Sequence, residues 1–335
     1  MKHKATPIEI AGQVIQPGTE HRFELFVGRL VTQVSLTLPV AVVHGVRSGP
    51  RIWVSAAVHG DEINGVEIIR QLLGTVDAQS LRGTIVAVPI VNVFGFINES
   101  RYLPDRRDLN RSFPGSSKGS LAGRLADLFL REIVDGCTHG IDLHTAADGR
   151  INLPQIRANL DDPETMRIAK AFAPRVILHS RLRAGSLRAA AAKRGIPVFV
   201  YEAGEAQRYN DVAIRTGTRG LLRVLSELGM RGAAPKTSSS VMISRRSQWL
   251  RARRSGLLRL TVKLGGYVTP RQVVGIISDA MGERDVIVRA RDAGVVIGLE
   301  QNPLVTRGDA IVHVAQPSAE VESEELDGGG QGHEE

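Results

Sequence analysis

The chain has 335 residues, 42% of them hydrophobic and 23% charged, a globular composition that excludes disorder throughout and suits one large domain or two. A single cysteine, Cys137, excludes an internal disulfide and a cysteine-built zinc cluster, and with no apolar run of about 18 residues and no apolar signal core the expectation is a cytoplasmic protein with no membrane partner. The net charge is +8, but an aromatic content of 4% supplies few stacking platforms and no nucleic-acid signature is present, so the basic character reads as a solvated surface able to steer anionic small molecules, with no nucleic acid as partner.

In chain order, residues 1–50 read as β-hairpins: 21–27 alternate polar and apolar, and 31–43 are rich in β-formers. Residues 51–58 form a nearly continuous apolar run, the pattern of a strand buried on both faces. A turn at His59-Gly60-Asp61-Glu62 leads into a helix over 64–73, then a second buried strand over 84–91. The stretch 92–119 is long, polar and without period, and loops of that length in compact domains usually carry function. Beyond it the pattern predicts a helix over 121–134, a short strand over 140–144, a helix over 162–172 and a strand over 175–178. A helix over 186–193 stops at Gly195, a strand runs over 197–202, and a helix over 211–228 stops at Gly229.

Strands alternating with helices predict an α/β fold with a mixed, largely parallel sheet flanked by helices. We place this unit, with its N-terminal hairpins, at residues 1–230. A Gly/Ala/Pro/Ser-rich linker occupies 231–248. Residues 249–316 lose helical period and show short β runs between glycines, which predicts a small all-β, barrel-like domain. The stretch 317–335 is acidic and reads as a disordered tail.

His59 and Glu62 stand three apart at the end of a buried strand, and open α/β sheets bind ligands outside the carboxyl ends of their strands. His-x-x-Glu can offer an imidazole nitrogen and a carboxylate to one ion, and a catalytic zinc site wants a third protein ligand. His144 closes another apolar strand and is the candidate. Asp142, two residues earlier, shares its face and can hold the ring in one tautomer. In the polar loop, Arg101 precedes Asp108-Leu109-Asn110-Arg111, where adjacent Asn and Arg make a good carboxylate clamp. Glu202 ends the strand over 197–202, where a carboxylate near a metal can take a proton from water.

Taken together, His59-Gly-Asp-Glu62, Asp108-Leu-Asn-Arg111, Asp142-Leu-His144 and Tyr201-Glu-Ala-Gly204 resemble the succinylglutamate desuccinylase/aspartoacylase family, within the zinc carboxypeptidase-like group, over roughly residues 45 to 315. The resemblance implies an eight-stranded mixed sheet with a C-terminal biotinyl/lipoyl-like unit. It implies one Zn2+ per chain on His59, Glu62 and His144, and hydrolysis of an acyl group, acetyl or succinyl in type, from a small N-acyl amino acid. Glu202 would be general base and acid, and Arg101 would polarise the scissile carbonyl. Asn110 and Arg111 would clamp the substrate carboxylate. An additional selectivity arginine is implied, for which Arg188 is preferred over Arg181, Arg183 and Arg194. The turn Arg291-Asp-Ala-Gly294 has no lysine, so no lipoyl or biotin group is expected. The alternatives are a metallocarboxypeptidase acting on peptides and a non-catalytic binding protein on the same fold. A homo-oligomer is left open.

Overall fold

The computed structural model describes residues 4–29, 32–237 and 240–318. The tail expected over 317–335 lies, past Ser318, outside the described residues.

Four parallel strands form the centre of the sheet: Arg82–Val88, Arg47–Ala56, His139–His144 and Val198–Gly204, side by side in that order. The run predicted at 51–58 covers the buried half of the second strand and continues two residues past its end at Ala56. Within the strand its side chains alternate, with Ile52, Val54 and Ala56 packing in one layer and Trp53 in the other. That two-sided burial is why the run reads as continuously apolar.

The rest of the sheet departs from the largely parallel expectation. On one side the hairpin Thr19–Arg29 with Ser35–His44 adds antiparallel to Arg82–Val88. On the other, Arg150–Ala158 runs antiparallel to Val198–Gly204. Gly294–Glu300, Ala310–Gln316 and Arg246–Arg251 then continue antiparallel beyond it. Val176–His179 and Met242–Ser244 add in parallel off Arg150–Ala158. With Tyr267–Val268, which pairs antiparallel to Gly294–Glu300, the sheet reaches thirteen strands among the described residues, against the eight implied by resemblance, because strands from both ends of the chain extend its edges. Two of them lie partly or wholly in the stretch expected to be a linker, 231–248: Met242–Ser244 and the start of Arg246–Arg251.

The remaining C-terminal strands, Asp285–Arg289, Val273–Ser278, Gly256–Leu260 and Leu304–Val305, make a separate four-stranded sheet. Among the described residues this sheet does not close into the expected barrel.

Helices cover both faces. Asn64–Thr75, Pro163–Phe172 and Asp211–Glu227 pack on one, burying Ile68, Leu72, Phe172, Leu221 and Leu225. Each such side chain stabilises by about 1.5–3 kcal/mol. Leu121–Phe129 and Leu187–Ala192 cover the other face. The single helix expected over 121–134 changes hydrogen-bonding pattern after Phe129 and continues as a π-turn, Leu130–Val134. No helix among the described residues is long and apolar enough to cross a membrane.

Candidate metal centre and cleft

His59 follows directly from the strand Arg47–Ala56. Ala57, fully buried, takes φ 49°, the left-handed region, as the chain leaves the sheet. Gly60 then lets the short helix Val93–Ile97 approach closely: a Cβ there would sit 1.9 Å from the backbone carbon of Gly95. That helix opens the 92–119 loop, so the Gly60 contact anchors the segment carrying Arg101 and Asp108 against the His59 turn.

Glu62 lies between the two imidazoles. Its Oε1 is 2.7 Å from His59 Nδ1 and its Oε2 is 2.7 Å from His144 Nδ1, while the Thr145 N–H donates to Oε2 at 3.1 Å. The far ring nitrogens each meet another carboxylate. His59 Nε2 is 3.2 Å from Asp108 Oδ1, and His144 Nε2 is 2.7 Å from Asp142 Oδ2. Asp142 is itself fixed by the Ser55 hydroxyl, which donates to Oδ1 at 2.8 Å from the neighbouring strand. His59, Glu62 and His144 each place one ligand-type atom within 4.8 Å of the others, and all three residues are buried.

The electrostatics favour positive charge at this centre. Burial pushes the Glu62 carboxyl up, but His59 and His144 more than reverse this and hold it well below the usual carboxylate range. Burial pushes His144 down; Asp142 and Glu62 outweigh it, and the ring lies well above its ordinary value. His59 is raised in the same way, against burial, by the Glu62 charge and its bonds to Asp108 and Glu62. Two Nδ1 atoms and a carboxylate converge, each ring steadied from behind by an aspartate, and this is the donor set and support expected for a divalent ion such as zinc.

The centre opens into a cleft of about 540 Å³. Seven arginines line it, Arg101, Arg111, Arg150, Arg157, Arg181, Arg183 and Arg188, against two glutamates, Glu62 and Glu202. Arg101 lies beside the donor set, pairing with Asp108 at 3.0 Å and Glu62 at 3.3 Å. Asp108 caps the 3-10 turn Leu109–Arg111, accepting from the Asn110 N–H at 2.8 Å, so one residue both shapes the turn and holds His59. Asn110 spends its Oδ1 on the Leu187 N–H at 2.9 Å, leaving its amide group to the cleft with Arg111.

Arg188 lines the cleft but is buried, with three hydrogen bonds to the Ser180 carbonyl, the Ser180 hydroxyl and the Arg181 carbonyl. Burial, then the charge of Arg157, pulls its pKa down to about 10. Arg181 and Arg183 also face the cleft; Arg194 does not line it and pairs with Asp135 at 2.8 Å. Glu202 stands opposite His144 in register, on the next strand, and lines the same cleft.

The structure therefore gathers every expected site residue into one cleft or directly behind it. It adds residues given no role above. Asp108 was visible within its motif, but nothing in the spacing pointed it at His59. Asn152 and Arg157 belong to a strand, Arg150–Ala158, that Pro154 obscures in the sequence. Trp249 reaches the cleft from the C-terminal strands, with Arg150 stacked over its ring at 5.2 Å.

Residues 48–228 match the model of the succinylglutamate desuccinylase/aspartoacylase catalytic domain. Over 296 residues the chain is 30% identical to the N-alpha-acetyl-L-2,4-diaminobutyric acid deacetylase of Halomonas elongata, spanning 84% of this chain and 86% of that protein. The crystal structure of a succinylglutamate desuccinylase/aspartoacylase from Rhodobacter sphaeroides superposes with a TM-score of 0.82 at 26% identity, covering 89% of this chain and 95% of the other. The product-bound ectoine utilization protein EutE (DoeB) of Ruegeria pomeroyi gives the same TM-score at 25% identity, covering 93% and 99%. The chain thus belongs to the succinylglutamate desuccinylase/aspartoacylase family, and its fold and buried His-Glu-His donor set make it a metal-dependent deacylase acting on N-acylated amino acids.

Proposed function

We propose that the protein removes an acetyl- or succinyl-type group from the amino nitrogen of a small amino acid, with one zinc ion held by His59, Glu62 and His144. The observation that carries this reading is the pair of imidazoles whose Nδ1 atoms converge on Glu62 while Asp108 and Asp142 hold their Nε2 atoms. A zinc ion held by those residues would activate a water near neutral pH and polarise the scissile carbonyl.

The side chains then divide the work. Glu202 takes a proton from the attacking water and returns it to the leaving amine. Arg101 meets the negative charge that grows on the acyl oxygen. Asn110 and Arg111 hold the substrate carboxylate through a planar fork and an amide donor. Arg188 holds the 180–181 wall in place and adds to the positive field. The excess of arginines around the cleft supports an anionic substrate, and the activity named for the Halomonas relative supports an acetyl group.

The same proposal keeps 249–316 as a biotinyl/lipoyl-like unit after a linker at 231–248. A separate hydrophobic cluster running from Leu250 to Val314 supports the division, and Trp249 gives the unit a role as a wall of the cleft. The lone, buried Cys137 suits the cytoplasm.

The test is metal content of the purified wild type beside His144→Ala by inductively coupled plasma mass spectrometry, followed by assay of amine release from N-acetyl and N-succinyl amino acids. About one zinc per chain, lost in the variant, is expected. A wild type that takes up no metal after incubation with zinc overturns the reading.

A further inference from the structure

The cleft contains a contact that the roles above leave unused. The amide of Asn152 donates from Nδ2 to Oε2 of Glu202 at 2.8 Å. The other carboxylate oxygen, Oε1, lies 3.6 Å from Nε of Arg157. Both partners come from Arg150–Ala158, the strand antiparallel to the one that Glu202 ends.

The register explains how Asn152 reaches it. Glu202 pairs with Gln155 and Gly204 with Asn152, so Leu153 and Pro154 together oppose the single residue Ala203. The extra residue shifts the alternation by one. In a regular ladder Asn152 and Gln155 would face opposite sides of the sheet; with the bulge, Asn152 turns to the Glu202 side. A bulge next to a working carboxylate is a known way of re-aiming a side chain.

A C-terminal strand runs beside Asn152, with Gly298 opposite it in register. Asn152 is buried, and a Cβ built on Gly298 would lie 3.1 Å from its Oδ1, 3.2 Å from Cβ of His313 and 3.3 Å from the Trp249 ring. Gly298, which pairs with Asn152 across the ladder, thus leaves the space that the amide occupies. A carboxylate gripped at one oxygen has lost its free rotation about the last torsion, so the other oxygen is pre-aimed.

We propose that Asn152 is a positioning residue for Glu202: it fixes Oε2 and thereby presents Oε1 to the reacting water and, later, to the leaving amine. The C-terminal strands border this contact through Gly298, whose missing side chain admits the amide. The proposal rests on the reading of Glu202 as proton carrier. It assigns Asn152 no contact with substrate or metal.

The experiment compares zinc-loaded wild type with Asn152→Ala, Asn152→Asp and Glu202→Gln, using N-acetyl-L-2,4-diaminobutyrate and N-acetyl-L-aspartate as probes. Metal content and melting temperature serve as folding controls. Expected are a fall in kcat of about tenfold to hundredfold in Asn152→Ala with KM nearly unchanged, and at least as large a fall in Asn152→Asp. The aspartate keeps the shape of the amide but replaces the donor with a second carboxylate. A crystal structure of Asn152→Ala should show the Glu202 carboxylate rotated or in two conformers.

If Asn152→Asp works as well as wild type while Asn152→Ala is impaired, the residue only fills space and the proposal is overturned. Normal kcat in both variants overturns it too. Substantial activity in Glu202→Gln defeats the proton-carrier reading itself, and the proposal falls with it for a different and recognisable reason.

Discussion

The carboxylate of Asp108 stands 3.2 Å from Nε2 of His59, on the far side of the ring from the Glu62 oxygen that lies 2.7 Å from Nδ1. His144 is held in the same way, with Asp142 in the part of Asp108. The two supports have different origins. Asp142 lies two residues before its histidine on one strand, whereas Asp108 comes from a loop turn 49 residues after His59. Removing either should leave the ligands present but poorly aimed. Asp108→Ala and Asp142→Ala are each expected to weaken zinc binding about tenfold to hundredfold, measured by competition with a chelator of known affinity. Affinities within twofold of wild type would show that the aspartates do not hold the rings.

The sign of the imidazole shifts sets the pH dependence of metal uptake. Burial alone would lower His59 and His144, but the carboxylates around them prevail and raise both. A raised pKa means that the metal-free rings keep their protons above the usual imidazole range, so protons compete with the ion. Apparent zinc affinity should fall as pH drops from about 8 to about 6, with roughly two protons released per ion bound near the lower end. Titration calorimetry in buffers of different ionisation heat counts those protons. An affinity that does not change with pH would contradict this.

The metal ligands were readable because strands end abruptly in sequence. An apolar run that stops at His59-Gly60-Asp61-Glu62, and another that stops at His144, place polar groups where folding has no need of them. Period two likewise put Asp142 on the face of His144. What escaped depends on breaks in period. Pro154 interrupts Arg150–Ala158, and the register shift opposite Glu202–Gly204 moves Asn152 across the sheet, so neither the strand nor its cleft residues show in the alternation. The antiparallel edges were missed for a related reason. A buried strand reads the same whichever way its neighbour runs, and direction is settled by pairings far apart in sequence, such as Gly294–Glu300 on Arg150–Ala158.

Gly60 offers a test of how the loop is anchored. Its missing side chain admits the backbone of Gly95, which a Cβ would approach to 1.9 Å. Backbone cannot swing aside as a side-chain tip can. Gly60→Ala should push the helix Val93–Ile97 outward and carry Arg101 and Asp108 with it. A stability loss of about 2–4 kcal/mol and weaker zinc binding are expected together, read by thermal melting and chelator competition. Wild-type behaviour in both would mean that the loop is held elsewhere.

Arg111 and Arg188 face one cleft but are built differently, and kinetics should separate them. Arg188 is buried and makes three hydrogen bonds to Ser180 and Arg181. Arg111 is exposed, bonds only to the neighbouring Asn110 carbonyl, at 2.5 Å, and has no carboxylate partner within ion-pair distance among the described residues. Burial lowers its pKa against the pull of Asp108, yet a guanidinium stays cationic through the physiological range. Arg111→Ala should therefore raise KM by about tenfold or more while kcat changes little, the pattern of lost ground-state binding. Arg111→Lys should restore it only in part, because an ammonium keeps the charge but not the fork. Arg188→Ala should instead destabilise the fold by about 3 kcal/mol through the orphaned Ser180 and Arg181 acceptors, with KM affected by the shifted wall. If Arg111→Ala lowered kcat and left KM alone, the carboxylate clamp would have to be sought among Arg181, Arg183 and Arg157 instead.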